Sequence, residues 1–287
     1  MLLQNKNAVI YGAGGSLGAT IAHALAKEGA HVFVTGHREA PVQAVATAIR
    51  NTGGNATMAV VDGLDQSSVN EHLLQVAATA GTVDLSMNLI GLEDTQDIPL
   101  SAMDLEDFLR PIHRAMRSHF ITATAAARIM QQQRSGIILS LTATPGGIGY
   151  PLTGGFGPTC CAIESFSRNL ASELGPYGIR VVNIRSAGSP DSKVFRDFAA
   201  MHPALSNAVL GNMRNDTMLK ALPLMQDIAD AAVFLCSAKA SRITGTTIDL
   251  TVGTTGALNY HFQQPVAGTN LVKDGSSGQS FFNPKYQ

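Results

Sequence analysis

The chain has 287 residues, 45% of them hydrophobic and only 14% charged, which is enough apolar mass for a full core in a single α/β domain. A net charge of −1 leaves no basic surplus of the kind a phosphate backbone demands, so nucleic acid is excluded as an expected partner. No apolar stretch approaches the roughly 18 residues of a membrane span, and residues 1–7 lead directly into a strand pattern, so no membrane partner and a cytoplasmic location are expected.

Asn7-Ala8-Val9-Ile10-Tyr11 is a short apolar run that predicts a strand. It closes on Gly12-Ala13-Gly14-Gly15-Ser16-Leu17-Gly18, after which residues 19–29 are alanine-rich with helical spacing. Strand, glycine turn and helix in that order are the context in which a dinucleotide-binding loop is expected. The glycines let the backbone turn tightly and approach a pyrophosphate, whose charge is held by free N–H groups at the positive end of the helix.

The second predicted strand, 31–35, ends in Gly36-His37-Arg38. An NAD-selective loop places a carboxylate at this strand end, where it binds the ribose 2′-hydroxyl and repels a 2′-phosphate. Gly36 stands there instead. With Arg38 and His37 following, the loop favours NADP(H) over NAD(H); the alternative is that Arg38 is an ordinary solvated charge. A third strand over 55–61 ends at Asp62-Gly63, and a fourth over 83–89 runs into Asn88-Leu89-Ile90-Gly91.

A helix is predicted over 105–132, carrying Ala115 and His119 one turn apart on one face. A fifth strand over 136–141 leads into Thr142-Ala143-Thr144, then a loop holding Tyr150, then Phe156-Gly157-Pro158-Thr159-Cys160 and a helix to residue 174. The cysteines, Cys160, Cys161 and Cys236, fit neither a disulfide framework nor a metal-ligand spacing, so three reduced thiols and no metal site are expected. Between 191 and 220, Phe195, Phe198, Met201, Leu205, Met213 and Met218 suggest either a flexible lid over an apolar ligand or a helical pair packed on the core. Residues 254–287 are rich in Gly, Ser and Gln, the composition of a tail; Tyr260, Phe262, Phe281, Phe282 and Tyr286 within it suggest that part of it docks on a subunit.

Taken together, Gly12 to Gly18, Asp62, Asn88, the helix 162–173 and Gly178-Ile179-Arg180-Val181 resemble the short-chain dehydrogenase/reductase superfamily. The resemblance runs from about residue 7 to 253 and implies one doubly wound Rossmann-type α/β domain, with a mostly parallel sheet flanked by helices. It implies a nicotinamide dinucleotide held by Gly12, Gly14, Gly15, Ser16, Leu17, Gly18, His37, Arg38, Asp62, Gly63, Asn88 and Ile90, Asp62 meeting the adenine amine. The superfamily keeps a small residue where Ile90 stands.

The same resemblance implies an atypical chemistry. Phe156 stands at the position of the superfamily's proton-donating tyrosine, Cys160 at its lysine and Ala115 at its relay asparagine. Thr142 falls at the substrate-orienting serine when counted along the strand, Ala143 when counted back from Phe156. A phenyl ring has no proton to give, and a positioned acid is worth about 10²–10⁴-fold. Tyr150 and His119 are the candidate substitutes, each also explained as a structural residue. Three functions stay open: an NADP(H) oxidoreductase acting on a small apolar carbonyl or enoyl-type substrate, a nucleotide-binding pseudoenzyme, and a non-redox lyase or isomerase. The helices at 105–132 and 158–174 match those through which the superfamily forms homodimers and homotetramers.

Overall fold

A computed structural model describes residues 1–256. Seven strands, β1 (Asn7–Tyr11), β2 (His31–Gly36), β3 (Asn55–Val60), β4 (Leu85–Asn88), β5 (Gly136–Ala143), β6 (Ile179–Ser186) and β7 (Thr246–Leu250), form one sheet in the order β3-β2-β1-β4-β5-β6-β7. Every pairing is parallel, which the helical crossovers require. Among the described residues eight α-helices supply those crossovers: α1 (Ser16–Lys27), α2 (Glu39–Asn51), α3 (Gln66–Ala80), α4 (Leu105–Gln133), α5 (Phe156–Leu174), α6 (Lys193–Met201), α7 (Pro203–Asn215) and α8 (Met225–Cys236). Among the described residues no helix is long and apolar enough to cross a membrane.

The alternation of side chains along each strand divides the core into two layers. On β1, Ala8 and Ile10 pack with Ile21 and Leu25 of α1 and with Ile228 and Ala232 of α8, while Val9 and Tyr11 face Leu73 of α3 and Ala126 of α4. β6 repeats the pattern, with Val182 and Ile184 in the first layer and Val181 in the second. β1 is buried along its whole length. Each fully buried aliphatic side chain of this kind contributes about 1.5–3 kcal/mol.

Strand order reverses between β1 and β4, so the loops after these two strands diverge and open a crevice at their carboxyl ends. The glycine loop lies there. β5 runs two residues further than its apolar pattern predicts, because Thr142 and Ala143 pair with Arg185 and Ser186 of β6; Thr142 is therefore a strand residue. α5 begins at Phe156, before Pro158, a residue that an N-terminal turn accommodates. The 191–220 segment folds as the helical pair α6–α7, and the side chains of Phe195 and Met213 close over Gly188. Residues 257–287, with the five aromatics expected to dock, lie outside the described residues.

Candidate active site

Three glycines of the first loop are fixed by close approach. A Cβ at Gly12, whose φ is +77°, would meet the Leu89 carbonyl oxygen at 2.5 Å; one at Gly18 would meet the Gly12 oxygen at 2.6 Å; one at Gly14 would meet Pro41 Cβ at 2.8 Å. Gly15 differs, since its nearest neighbour would be 3.6 Å away and it lines an open cavity of about 290 Å³. α1 starts at Ser16 with no side-chain cap and no acidic residue in its first turn. Its leading N–H groups thus face the cavity mouth without a protein anion, the arrangement that binds a phosphate. Ser16 Oγ also accepts the Lys193 N–H at 3.3 Å, tying the start of α6 to this loop.

Past β2, His37 and Arg38 are exposed, and Arg38 makes no ion pair among the described residues. Asp62 lies two residues beyond the end of β3, exposed, with Oδ1 accepting the Leu64 N–H at 2.9 Å. Asn88, at the end of β4, accepts the Ile90 N–H at 2.9 Å and donates to Thr122 at 3.2 Å, so it holds the following turn against α4. Ile90 reaches across to Gly63, where a Cβ would meet its Cδ1 at 2.3 Å. Of the residues expected to hold a nucleotide, Gly12, Gly15, Ser16, Leu17, Gly18, Asn88 and Ile90 line the cavity; Gly14, His37, Arg38, Asp62 and Gly63 stand outside its lining.

The far end of the cavity is built from β5, α4 and α5. Leu141, Thr142 and Ala143 enter from β5, His119 from α4, and Phe156, Cys160 and Ile163 from α5. Phe156 and Cys160 sit one helical turn apart and share a face. Gly155, just before them, must be glycine: a Cβ there would lie 2.0 Å from the Phe108 carbonyl oxygen. That contact seats the start of α5 on α4 and so fixes where Phe156 points. Burial pushes the Cys160 thiol up to about 12, and the nearby Glu164 adds to the rise, so Cys160 stays protonated and unreactive near neutral pH.

Tyr150 and His119, the two side chains expected as proton sources, fare differently. Tyr150 is not brought to the cavity; it is exposed in the loop before α5, and burial of its inner face raises the phenol further from neutrality. His119 does line the cavity, but its Nδ1–H donates to the Ala115 carbonyl at 3.0 Å and burial holds its pKa down at about 4. A proton shuttle near neutral pH therefore does not fit His119. Thr142 lines the cavity as well, though its hydroxyl is already committed: it donates to Glu164 Oε1 at 2.9 Å and accepts from Asn183 Nδ2 at 2.7 Å.

A model of the family described as Enoyl-(Acyl carrier protein) reductase matches residues 12–255. The 3-oxoacyl-[acyl-carrier-protein] reductase of Chlamydia trachomatis serovar D is 30% identical over 258 residues, an alignment covering 88% of this chain and 98% of the relative. The chain belongs to the short-chain dehydrogenase/reductase superfamily. Among solved structures, a gluconate 5-dehydrogenase from Burkholderia cenocepacia in complex with NADP and tartrate superposes with a TM-score of 0.80 at 23% identity, covering 89% of this chain and 97% of that one. An NAD+-bound xylitol dehydrogenase gives 0.82 at 21% identity, covering 88% and 100%. At these identities the two structures establish the fold alone.

Members of this superfamily of oxidoreductases use nicotinamide dinucleotides, and the close-packed glycine turn, the open Gly15 and the uncapped start of α1 fit such a group. A charged network lies behind the far wall. Glu164, only 4% exposed, is gripped by Arg185 through Nε at 2.9 Å and Nη2 at 2.5 Å, and Arg185 reaches Asp249 with Nη1 at 3.2 Å. Neither residue was singled out from the sequence. A signal was present: Glu164 falls one turn beyond Cys160 on the same helix face, and Arg185, like Arg180, is a charge inside a mostly buried strand, where it must find a partner.

Proposed function

We propose that the protein is an NADP(H)-binding oxidoreductase with a non-standard active site, acting on a small apolar carbonyl or enoyl-type substrate. The observation that carries this reading is the pairing of a glycine loop fitted for a pyrophosphate with a far wall made of Phe156, Cys160 and Leu141 in one cavity. Gly36 and the unpaired-in-the-described-residues Arg38 support NADP(H) over NAD(H), since a guanidinium can meet a 2′-phosphate with two parallel hydrogen bonds. When bound, the nicotinamide supplies or takes the hydride. Gly12 to Gly18 hold the pyrophosphate, Arg38 and His37 the 2′-phosphate, Asp62 the adenine and Asn88 the turn beside the ribose. At the far end, Phe156 and Ile163 make the wall apolar, and the proton comes from solvent, from the substrate itself or from an unassigned side chain.

A second reading, a nucleotide-binding pseudoenzyme acting as sensor or scaffold, is favoured by the protonated Cys160 thiol and the phenyl ring of Phe156. An assay of NADPH oxidation over a panel of apolar ketones, aldehydes and enoyl thioesters separates the two. Turnover on an enoyl or apolar carbonyl compound supports the enzyme. Silence from the native protein, together with turnover by the Phe156→Tyr/Cys160→Lys double variant, supports the pseudoenzyme. The assembly in this reading is a homotetramer or homodimer through α4 and α5, whose outer faces carry the exposed Phe120 beside Phe166 at 6.5 Å between ring centroids.

A further inference from the structure

The hydrogen bonds behind the far wall run in one direction, and that direction decides what the wall can recognise. Ser140 Oγ donates to Asn183 Oδ1 at 2.8 Å, Asn183 Nδ2 donates to Thr142 Oγ1 at 2.7 Å, and Thr142 Oγ1 donates to Glu164 Oε1 at 2.9 Å. Glu164 terminates the chain as an acceptor on both oxygens, because the Arg185 fork donates to each of them. A carboxylate clamped in this way has no proton to return, so the single hydroxyl proton of Thr142 must point at Glu164 and the Asn183 amide must present its nitrogen to Thr142. Thr142 keeps one lone pair and no proton for anything in the cavity.

His119 has the same polarity for an independent reason. A backbone carbonyl can only accept, so the hydrogen bond to Ala115 places the ring proton on Nδ1 and leaves Nε2 as a bare lone pair. Nε2 is buried and has no partner among the described residues. Nε2 is thus closed to a ligand, and around Thr142 the wall is apolar, formed by Leu141, Phe156 and Ile163, with the Cys160 thiol a weak donor.

We propose that Glu164 is a specificity-determining positioning residue: by fixing Thr142 as a hydrogen-bond acceptor, it makes the far end of the cavity select an apolar molecule bearing a hydroxyl over the corresponding ketone. The inference rests on the reading of this cavity as the substrate site of an oxidoreductase, and within the carbonyl–alcohol pair that such an enzyme interconverts it assigns the tighter binding to the alcohol, the inverse of what a serine-type hydroxyl donor would give. A ketone oxygen placed at Thr142 would face lone pairs, whereas an alcohol donates to one of them. The difference of one made hydrogen bond corresponds to about tenfold in affinity.

Ligand-observed saturation-transfer NMR with 2-octanol and 2-octanone as probes tests this on the full chain, with and without NADPH, whose own signals report cofactor binding separately. The expected result is a preference of about tenfold for the alcohol in the native protein. It should survive in Thr142→Ser and be lost in Thr142→Val, which preserves the strand shape. Glu164→Gln, which can donate to Thr142 and free its proton, should bring the ratio to about one or reverse it. Equal or tighter binding of the ketone by the native protein overturns the proposal, as does an alcohol preference that persists in both Thr142→Val and Glu164→Gln. Absence of NADPH signals would instead contradict the cofactor assignment and leave the probe ratio to be read on its own.

Discussion

Arg185 on β6 grips Glu164 on α5 through two hydrogen bonds, of 2.9 and 2.5 Å, directly behind the wall that Thr142 and Cys160 present to the cavity. The same guanidinium also donates to the Gly146 carbonyl at 3.3 Å and to Asp249 at 3.2 Å, so one side chain joins α5, the loop after β5 and the end of β7. The Arg185 pKa is raised by its hydrogen bond to Glu164, and the guanidinium stays charged at all working pH.

Removing one partner leaves the other charge stranded. Glu164→Ala or Arg185→Ala should destabilise the protein by about 3 kcal/mol, near the low end for a broken buried pair because the Arg185 side chain is 16% exposed. The apolar double replacement Glu164→Leu/Arg185→Met should cost less than either single change. Urea midpoints of the four proteins check this, and single variants within about 0.5 kcal/mol of wild type would show the pair to be inert.

Acid sensitivity follows from two buried histidines. His72 and His119 are each held neutral by burial, with pKa values of about 4 against the ordinary 6.5. Above pH 6.5 neither folded nor unfolded chain protonates them, and they leave stability unchanged. Between about 6.5 and 4 the unfolded chain binds protons that the folded one does not, so stability falls with pH by up to about 3 kcal/mol per histidine. His119→Gln should flatten that part of the profile in denaturant unfolding measured from pH 7.5 to 4.5. An unchanged slope would contradict the buried neutral state.

Assembly is tested through Phe120, which is 56% exposed on α4. Light scattering at micromolar concentration should give a dimer or tetramer mass for the native chain, and Phe120→Arg should lower it by placing a charge in an apolar helix interface. A native monomer would refute the homo-oligomer.

Much of the fold was legible because strand runs and glycine turns act locally. Ala8-Val9-Ile10-Tyr11 closes on a glycine whose φ is positive, and no side chain fits at Gly12 or Gly18. Strand ends were less so. β5 continues through Thr142 and Ala143 because β6 offers partners there, and pairing across a sheet is not written in either segment alone. The site divided along the same line. Gly15, Asn88, Thr142, Phe156 and Cys160 line one cavity, whereas Tyr150 does not, since loop direction depends on tertiary contacts. His119 reached the cavity with its proton turned onto its own helix, a consequence of local geometry that residue type does not disclose. Glu164 and Arg185 are 21 residues apart and meet only through the α5–β6 packing.

Cofactor binding is the claim on which the functional reading stands. Calorimetric titration of the full chain with NADPH and NADH, repeated on Arg38→Ala, tests it most directly. The account predicts binding of both nucleotides with NADPH the tighter, and loss of that preference, with NADH affinity nearly unchanged, when Arg38 is removed. Failure of both nucleotides to bind, or tighter binding of NADH, would contradict it.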